Sequence, residues 1–163
     1  MSDPKAIVST LLNEILAGPA ETGYFLNPGD AGLLRSLDRL SAAQASARAP
    51  GGGASVAAHA DHLRYGLELL NRELGGERAF DNADYSTSWR RLTVSDREWT
   101  ERREQLRAEA DRLRENVQQR ASLAGADLLN VAAMVVHLAY HLGAIRQIDR
   151  AAKGPSAGDK GQL

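Results

Sequence analysis

A chain of 163 residues, 43% hydrophobic and 25% charged, has the make-up of a globular protein with enough sequence for one domain and a sizeable core. Its 20 basic and 21 acidic side chains leave a formal charge of −1, so no overall field draws it to nucleic acid or to an anionic membrane. Cysteine is absent, which excludes disulfides, thiolate metal sites and a cysteine nucleophile, and fits a reducing cytoplasm.

The amino-terminal run MSDPKAIVSTLLNEIL has neither the basic region nor the small-residue cleavage site of a secretory signal, so a cytoplasmic location is expected. Asp3 and Pro4 form a helix start, with a capping carboxylate and a proline at the first helical position. Apolar residues then recur at helical spacing from Ile7 to Leu16, until Gly18 and Pro19 stop the helix. A second helix is predicted over about 30–46, with Leu33, Leu34, Leu37 and Leu40 as its stripe. The glycine run at 51–53 breaks the chain, and Ser55 caps a third helix over about 56–74 that carries Val56, Leu63, Leu67 and Leu70.

Residues 77–94 read as an irregular loop with aromatic anchors. Ser95 and Glu98 have the spacing of a capping box, and the helix behind them runs to about 121 with Trp99, Leu106, Ala110, Leu113 and Val117 inward. Its remaining arginines and glutamates are interleaved, the pattern of a solvated face and not of a nucleic-acid surface. The last helix is predicted over about 126–151. Residues 128–148 are long enough to span a bilayer, but Asn130, His137, His141, Arg146 and Gln147 interrupt the run, so a buried helix is expected and no membrane partner. The whole reads as an all-α, antiparallel four-helix bundle of the up-down-up-down type with an additional short helix. It fills one domain over 1–151, followed by a disordered tail over 152–163. The last helix is apolar nearly all round, which fits a homodimer packed through it.

The four histidines fall in two pairs, His59 with His62 and His137 with His141. Separations of three and four put both rings of a pair on one helix face, about 5–6 Å apart at Cβ, where they can share an ion with a ligand from a facing helix. Two stricter patterns fail. Leu138 stands where a zinc protease helix carries its general-base glutamate. A di-iron bundle needs inward glutamates, for which only Glu14 and Glu68 are placed. Relative to Leu63, His59 lies nearer the centre of the apolar stripe and His62 nearer its edge, and either position can serve a ligand. Asp61 and Glu68 are candidate partners for free imidazole nitrogens, though solvent-facing positions suit them as well. Trp89, Trp99, Tyr24 and Phe25 read as core or anchor residues.

The stretches SVAAHADHLRYGLELLNREL and VVHLAYHLGAIRQI, with the segment between the first two helices, resemble the DinB-like (DinB/YfiT) superfamily over most of the chain. That superfamily includes metal-dependent hydrolases and bacterial thiol-dependent S-transferases. The resemblance implies a four-helix bundle, often dimeric, with one divalent transition metal, zinc or nickel, on three histidines. Its last-helix pair maps onto His137 and His141, with Tyr140 matching the tyrosine often found before the second of them. Its first ligand follows a helix-opening serine by seven residues, which from Ser55 selects His62 and leaves His59 as an outer partner or alternative ligand. Tyr140 and Gln147 are further candidates for such outer positions. Ala144 stands where the family often has glutamine, with Gln147 three residues on, so a polar neighbour of the site is missing or moved.

Three neutral imidazoles leave positions open on an ion for water or substrate. The resemblance implies a transferase acting on a small molecule with a low-molecular-weight thiol such as mycothiol or bacillithiol, or a hydrolase. The competing expectation is a dimeric, stress-associated metal-binding protein without turnover. A substrate-sized cavity open over the histidines favours an enzyme, and a site closed by side chains favours the binding protein.

Overall fold

A computed structural model describes residues 3–48, 51–90, 92–152 and 154 of the chain, and among these there is no β-strand. Helix α1 (Pro4–Ala17) opens as expected, with the Asp3 carboxylate accepting the Lys5 N–H at 3.0 Å. It ends at Gly18, whose φ of 96° and close approach to the Asp30 carbonyl leave no room for a Cβ. The single helix expected over 30–46 is two, α2 (Gly32–Asp38) and α3 (Ala42–Ala45). Ser41 starts a new capping box with Gln44, and the Leu40 carbonyl just before it accepts the Trp99 indole N–H at 2.7 Å. That break fixes the start of a distant helix onto this segment.

The remaining long helices are α4 (Val56–Leu74), α5 (Asp96–Gln119) and α6 (Gly125–Ile148). Ser55 and Ser95 cap the first two as their sequence indicated, the latter within a complete capping box with Glu98. Helix α6 stops slightly short of its expected end, and a 3-10 turn, Arg150–Ala152, follows it. Ala152 is fully buried and its carbonyl accepts from Arg146, so the position assigned to the tail's first residue belongs to the fold. Residues 153 and 155–163 of that expected tail lie outside the described residues.

The four long helices pack in a ring, α1 against α5 and α6, and α4 against the same two. Leucines such as Leu12, Leu67, Leu106 and Leu138 fill the centre. The all-α bundle is as expected, but one direction differs from a strictly alternating order. Arg102 reaches Asp61 at 2.7 Å, while Asn71 bonds to the Glu109 carbonyl and to Asn116, so α4 and α5 run side by side in the same sense. Residues 75–90 account for this by running back along α4, with Asp84 N–H on the Tyr65 hydroxyl and Ser88 beside His62. Helix α6 runs opposite to α4.

By length and composition α6 is the one described helix apolar enough to cross a membrane. Its inner face is committed to the bundle through Val131, Leu138, Leu142 and Ile145, while Leu129, Val136 and Tyr140 are 68%, 68% and 71% exposed. Trp99→Phe keeps the buried ring but removes the donor to Leu40. It is expected to lower stability by about 1–2 kcal/mol in urea unfolding.

Candidate metal centre

The opposed run of α4 and α6 brings the two histidine pairs face to face. His62 Nε2 lies 3.1 Å from His137 Nε2, and His59 Nδ1 lies 2.8 Å from His141 Nδ1. One ring nitrogen from each of His62, His137 and His141 falls within a group spanning 4.8 Å. His59 is not in that group; the nitrogen it turns toward the site is engaged with His141, leaving Nε2 of His141 for an ion. The alternatives left open on α4 therefore separate in the structure, with His62 at the centre and His59 behind His141.

Residues 75–95 supply the other partners. The Ser88 hydroxyl donates to the Tyr85 carbonyl at 2.8 Å and lies 3.2 Å from His62 Nδ1. Its proton being spent on Tyr85, the oxygen can only accept from the imidazole, which puts the His62 proton on Nδ1 and leaves the Nε2 lone pair facing His137. Trp89 stacks on His62 at 4.3 Å between centroids and meets His59 edge-on at 5.3 Å. The sequence places Trp89 among core or anchor residues and gives Ser88 no role, because an aperiodic loop offers no spacing from which to place either. The aromatic content of 77–94 was the available signal.

Burial disfavours a charge on all four rings. It is the main cause for His62, pushed down to about 4 with help from the neighbouring His137 and His59, and for His141, pushed down to about 3 with His137, His59 and His62 contributing. His59 and His137 are lowered by burial as well. At neutral pH the cluster therefore presents lone pairs, the state a metal ligand needs. Two nitrogens bound to one tetrahedral zinc stand roughly 3.3 Å apart, given metal–nitrogen distances of about 2.0–2.1 Å. The 3.1 Å between His62 and His137 is close to that spacing. Donor type, protonation and separation all fit an ion here.

Other candidate residues lie elsewhere. Tyr140 is exposed and touches only the edge of the His141 ring, at 5.0 Å, and Gln147 is on the exposed side of α6. Asp61 is neither a histidine partner nor solvent-facing, since it is buried and takes Arg64 and Arg102. Glu68 pairs with Arg64. Glu14 is buried, but its carboxylate accepts the N–H groups of Tyr24, Phe25 and Leu26. Burial would raise its pKa, and those three donors together lower it. Trp99 is core as expected, whereas Tyr24 and Phe25 are exposed.

A cavity of about 480 Å³ opens beside the histidines, lined by His62, Gly66, Phe80, Tyr85, Asn130, Ala133, Met134 and His137. Gly66 lies in the interior of α4, where glycine costs about 1 kcal/mol relative to alanine. A Cβ there would meet only the Met134 methyl at 3.5 Å, an ordinary contact, so packing of the bundle does not require the glycine. Its effect is to leave the cavity wall open.

A sequence model of the DinB superfamily matches residues 30–144, a span that includes all four histidines, Ser88 and Trp89. No curated protein and no solved structure matches the chain.

Two outcomes follow from this geometry. Because the folded-state pKa values of the histidines are depressed, the unfolded chain takes up protons first. The metal-free protein should accordingly lose stability as pH falls below about 6.5 and go on losing it toward pH 4, as read by melting temperature against pH. Ser88→Ala and His59→Ala remove partners of ligands but not ligands. Each is expected to weaken zinc binding about 10–100-fold without abolishing it, measured by competition with a chromogenic chelator.

Proposed function

The chain belongs to the DinB superfamily, and on that footing we propose that it is a metal-dependent enzyme, a transferase that joins a low-molecular-weight thiol to a small molecule. The observation that carries the proposal is the cavity, which opens directly on His62 and His137 and is not closed by side chains. About 480 Å³ of space beside the candidate ligands is room for a small-molecule substrate. His62, His137 and His141 would hold one zinc or nickel ion. When bound, such an ion lowers the pKa of a thiol or water, which supplies a nucleophile at neutral pH.

The chain's own residues prepare the site for that chemistry. Ser88 fixes the His62 tautomer, His59 orients His141, and Trp89 covers one face of His62 against water. The cavity receives the second substrate against Phe80, Tyr85 and Met134. A chain without cysteine takes its sulfur from the cosubstrate, which agrees with a diffusible thiol. Hydrolysis at the same centre would replace the thiol by water.

The same reading gives the exposed stripe of α6 a purpose. Leu129, Val136 and Tyr140 lie seven and four residues apart on one face, and a second copy of the chain packed there would remove them from water. Val136→Glu is expected to shift a dimer to monomer in light scattering coupled to size exclusion.

Metal content measured by mass spectrometry on untagged protein tests the central reading. About one ion per chain is expected, lost in His62→Ala, His137→Ala and His141→Ala, together with thiol-dependent consumption of an electrophile by the wild type alone. Metal bound without turnover of any thiol would favour the binding protein. No metal after incubation with zinc or nickel would overturn both.

A further inference from the structure

We infer that the cavity beside His62 and His137 takes an uncharged, flat, largely apolar molecule about 10 Å long that carries one carbonyl or amide group, held at its far end by Asn130. As a statement about substrate, the inference rests on the function proposed above; as a statement about binding, it does not need the metal.

Three observations carry it. None of the described side chains lining the cavity is a carboxylate, an ammonium or a guanidinium. The walls are instead Phe80, Tyr85, Met134 and Ala133, and two aromatic rings from the connection favour a flat ligand. Away from the histidines, a charged group on the ligand would lose part of its hydration with no opposite charge to replace it.

Asn130 is the one polar side chain of the lining that is neither a histidine nor a tyrosine, and among the described residues none takes its amide. It sits seven residues before His137, two turns along the same face of α6, which places it about 10 Å from the histidine along the helix axis. Its amide can both donate and accept, so a carbonyl or an amide at the distal end of the ligand completes it. A ligand anchored there and reaching the histidines has its length set by that separation.

Gly66 is the third. A Cβ on it would stand 3.5 Å from the Met134 methyl, so the two are neighbours in the cavity wall, with Gly66 one turn of α4 beyond His62. Alanine fits at that position, whereas a branched side chain would occupy the room a flat ligand needs.

The test uses metal-free, full-length protein and a neutral fluorescent ketone, 6-propionyl-2-dimethylaminonaphthalene. Its analogues are the parent 2-dimethylaminonaphthalene, without a carbonyl, and the corresponding 6-carboxylate. Fluorescence titration is expected to show saturable binding of the ketone to the wild type and to Gly66→Ala. Binding should be at least tenfold weaker in Gly66→Leu, with melting temperature and helix content checked in each variant. Asn130→Leu should weaken the ketone about tenfold, the worth of one hydrogen bond, and leave the parent naphthalene unchanged. The carboxylate should bind more weakly than the ketone throughout.

Equal affinity in folded Gly66→Leu would move the dye to the exposed stripe of α6 and overturn the inference. So would preference for the carboxylate, or no saturable binding. A protein that fails to bind metal yet passes this test would refute the enzyme and keep the cavity's selectivity.

Discussion

Four imidazoles between two helices set the terms for this fold. Each ring carries two nitrogens that need partners once water is excluded. The partners found are mutual, His59 with His141 and His62 with His137. Such cross-pairing is available only if α4 and α6 run in opposite senses in one register. Rotating either helix by a single residue, about 100°, would separate both pairs. The remaining Nδ1 of His62 meets Ser88, which residues 75–90 bring back along α4. That return also explains why α5 begins at the same end as α4. The connection that brings Ser88 to His62 is thus the one that sets the direction of α5, a helix that carries no histidine.

Helix α6 shows how one element can serve several surfaces. Its apolar residues are spread around the axis, with Leu138 and Ile145 in the core and Val136 and Tyr140 outside. The strip between these carries Asn130, Met134 and His137, all on the cavity. A helix with one buried and one wet face could not hold the core, the site and an outer apolar stripe at once.

Much of this was legible in the residues. Capping serines at 55 and 95, and leucines at helical spacing, give the long helices to within a few residues. Paired spacing picks out the four histidines as two pairs that facing helices can bring together, and the family resemblance, not the spacing, selects His62 over His59. Three features were missed, each for a physical reason. The split at Ser41 has a local sign in the capping-box spacing of Ser41 and Gln44, but the bond that anchors it, Trp99 to the Leu40 carbonyl, joins residues 59 positions apart. The separate places of His59 and His62 depend on the rotation of α6, which α4 does not encode. The shared direction of α4 and α5 depends on the path of residues 75–95, a connection long enough to turn at once or to run the length of a helix.

Because Ser88, Trp89, Phe80 and Tyr85 all ride on that connection, the bundle and the tuning of its site are carried by different stretches of chain. The helical core is built from α1, α4, α5 and α6, while the cavity mouth and the hydroxyl behind His62 come from a segment of short 3-10 turns. Substitutions confined to positions 80–89 can therefore reshape what the site admits, and how firmly one of its ligands is held, while the scaffold stays as it is. Evolution, or a designer, has in this topology a specificity cassette spliced into an otherwise fixed frame.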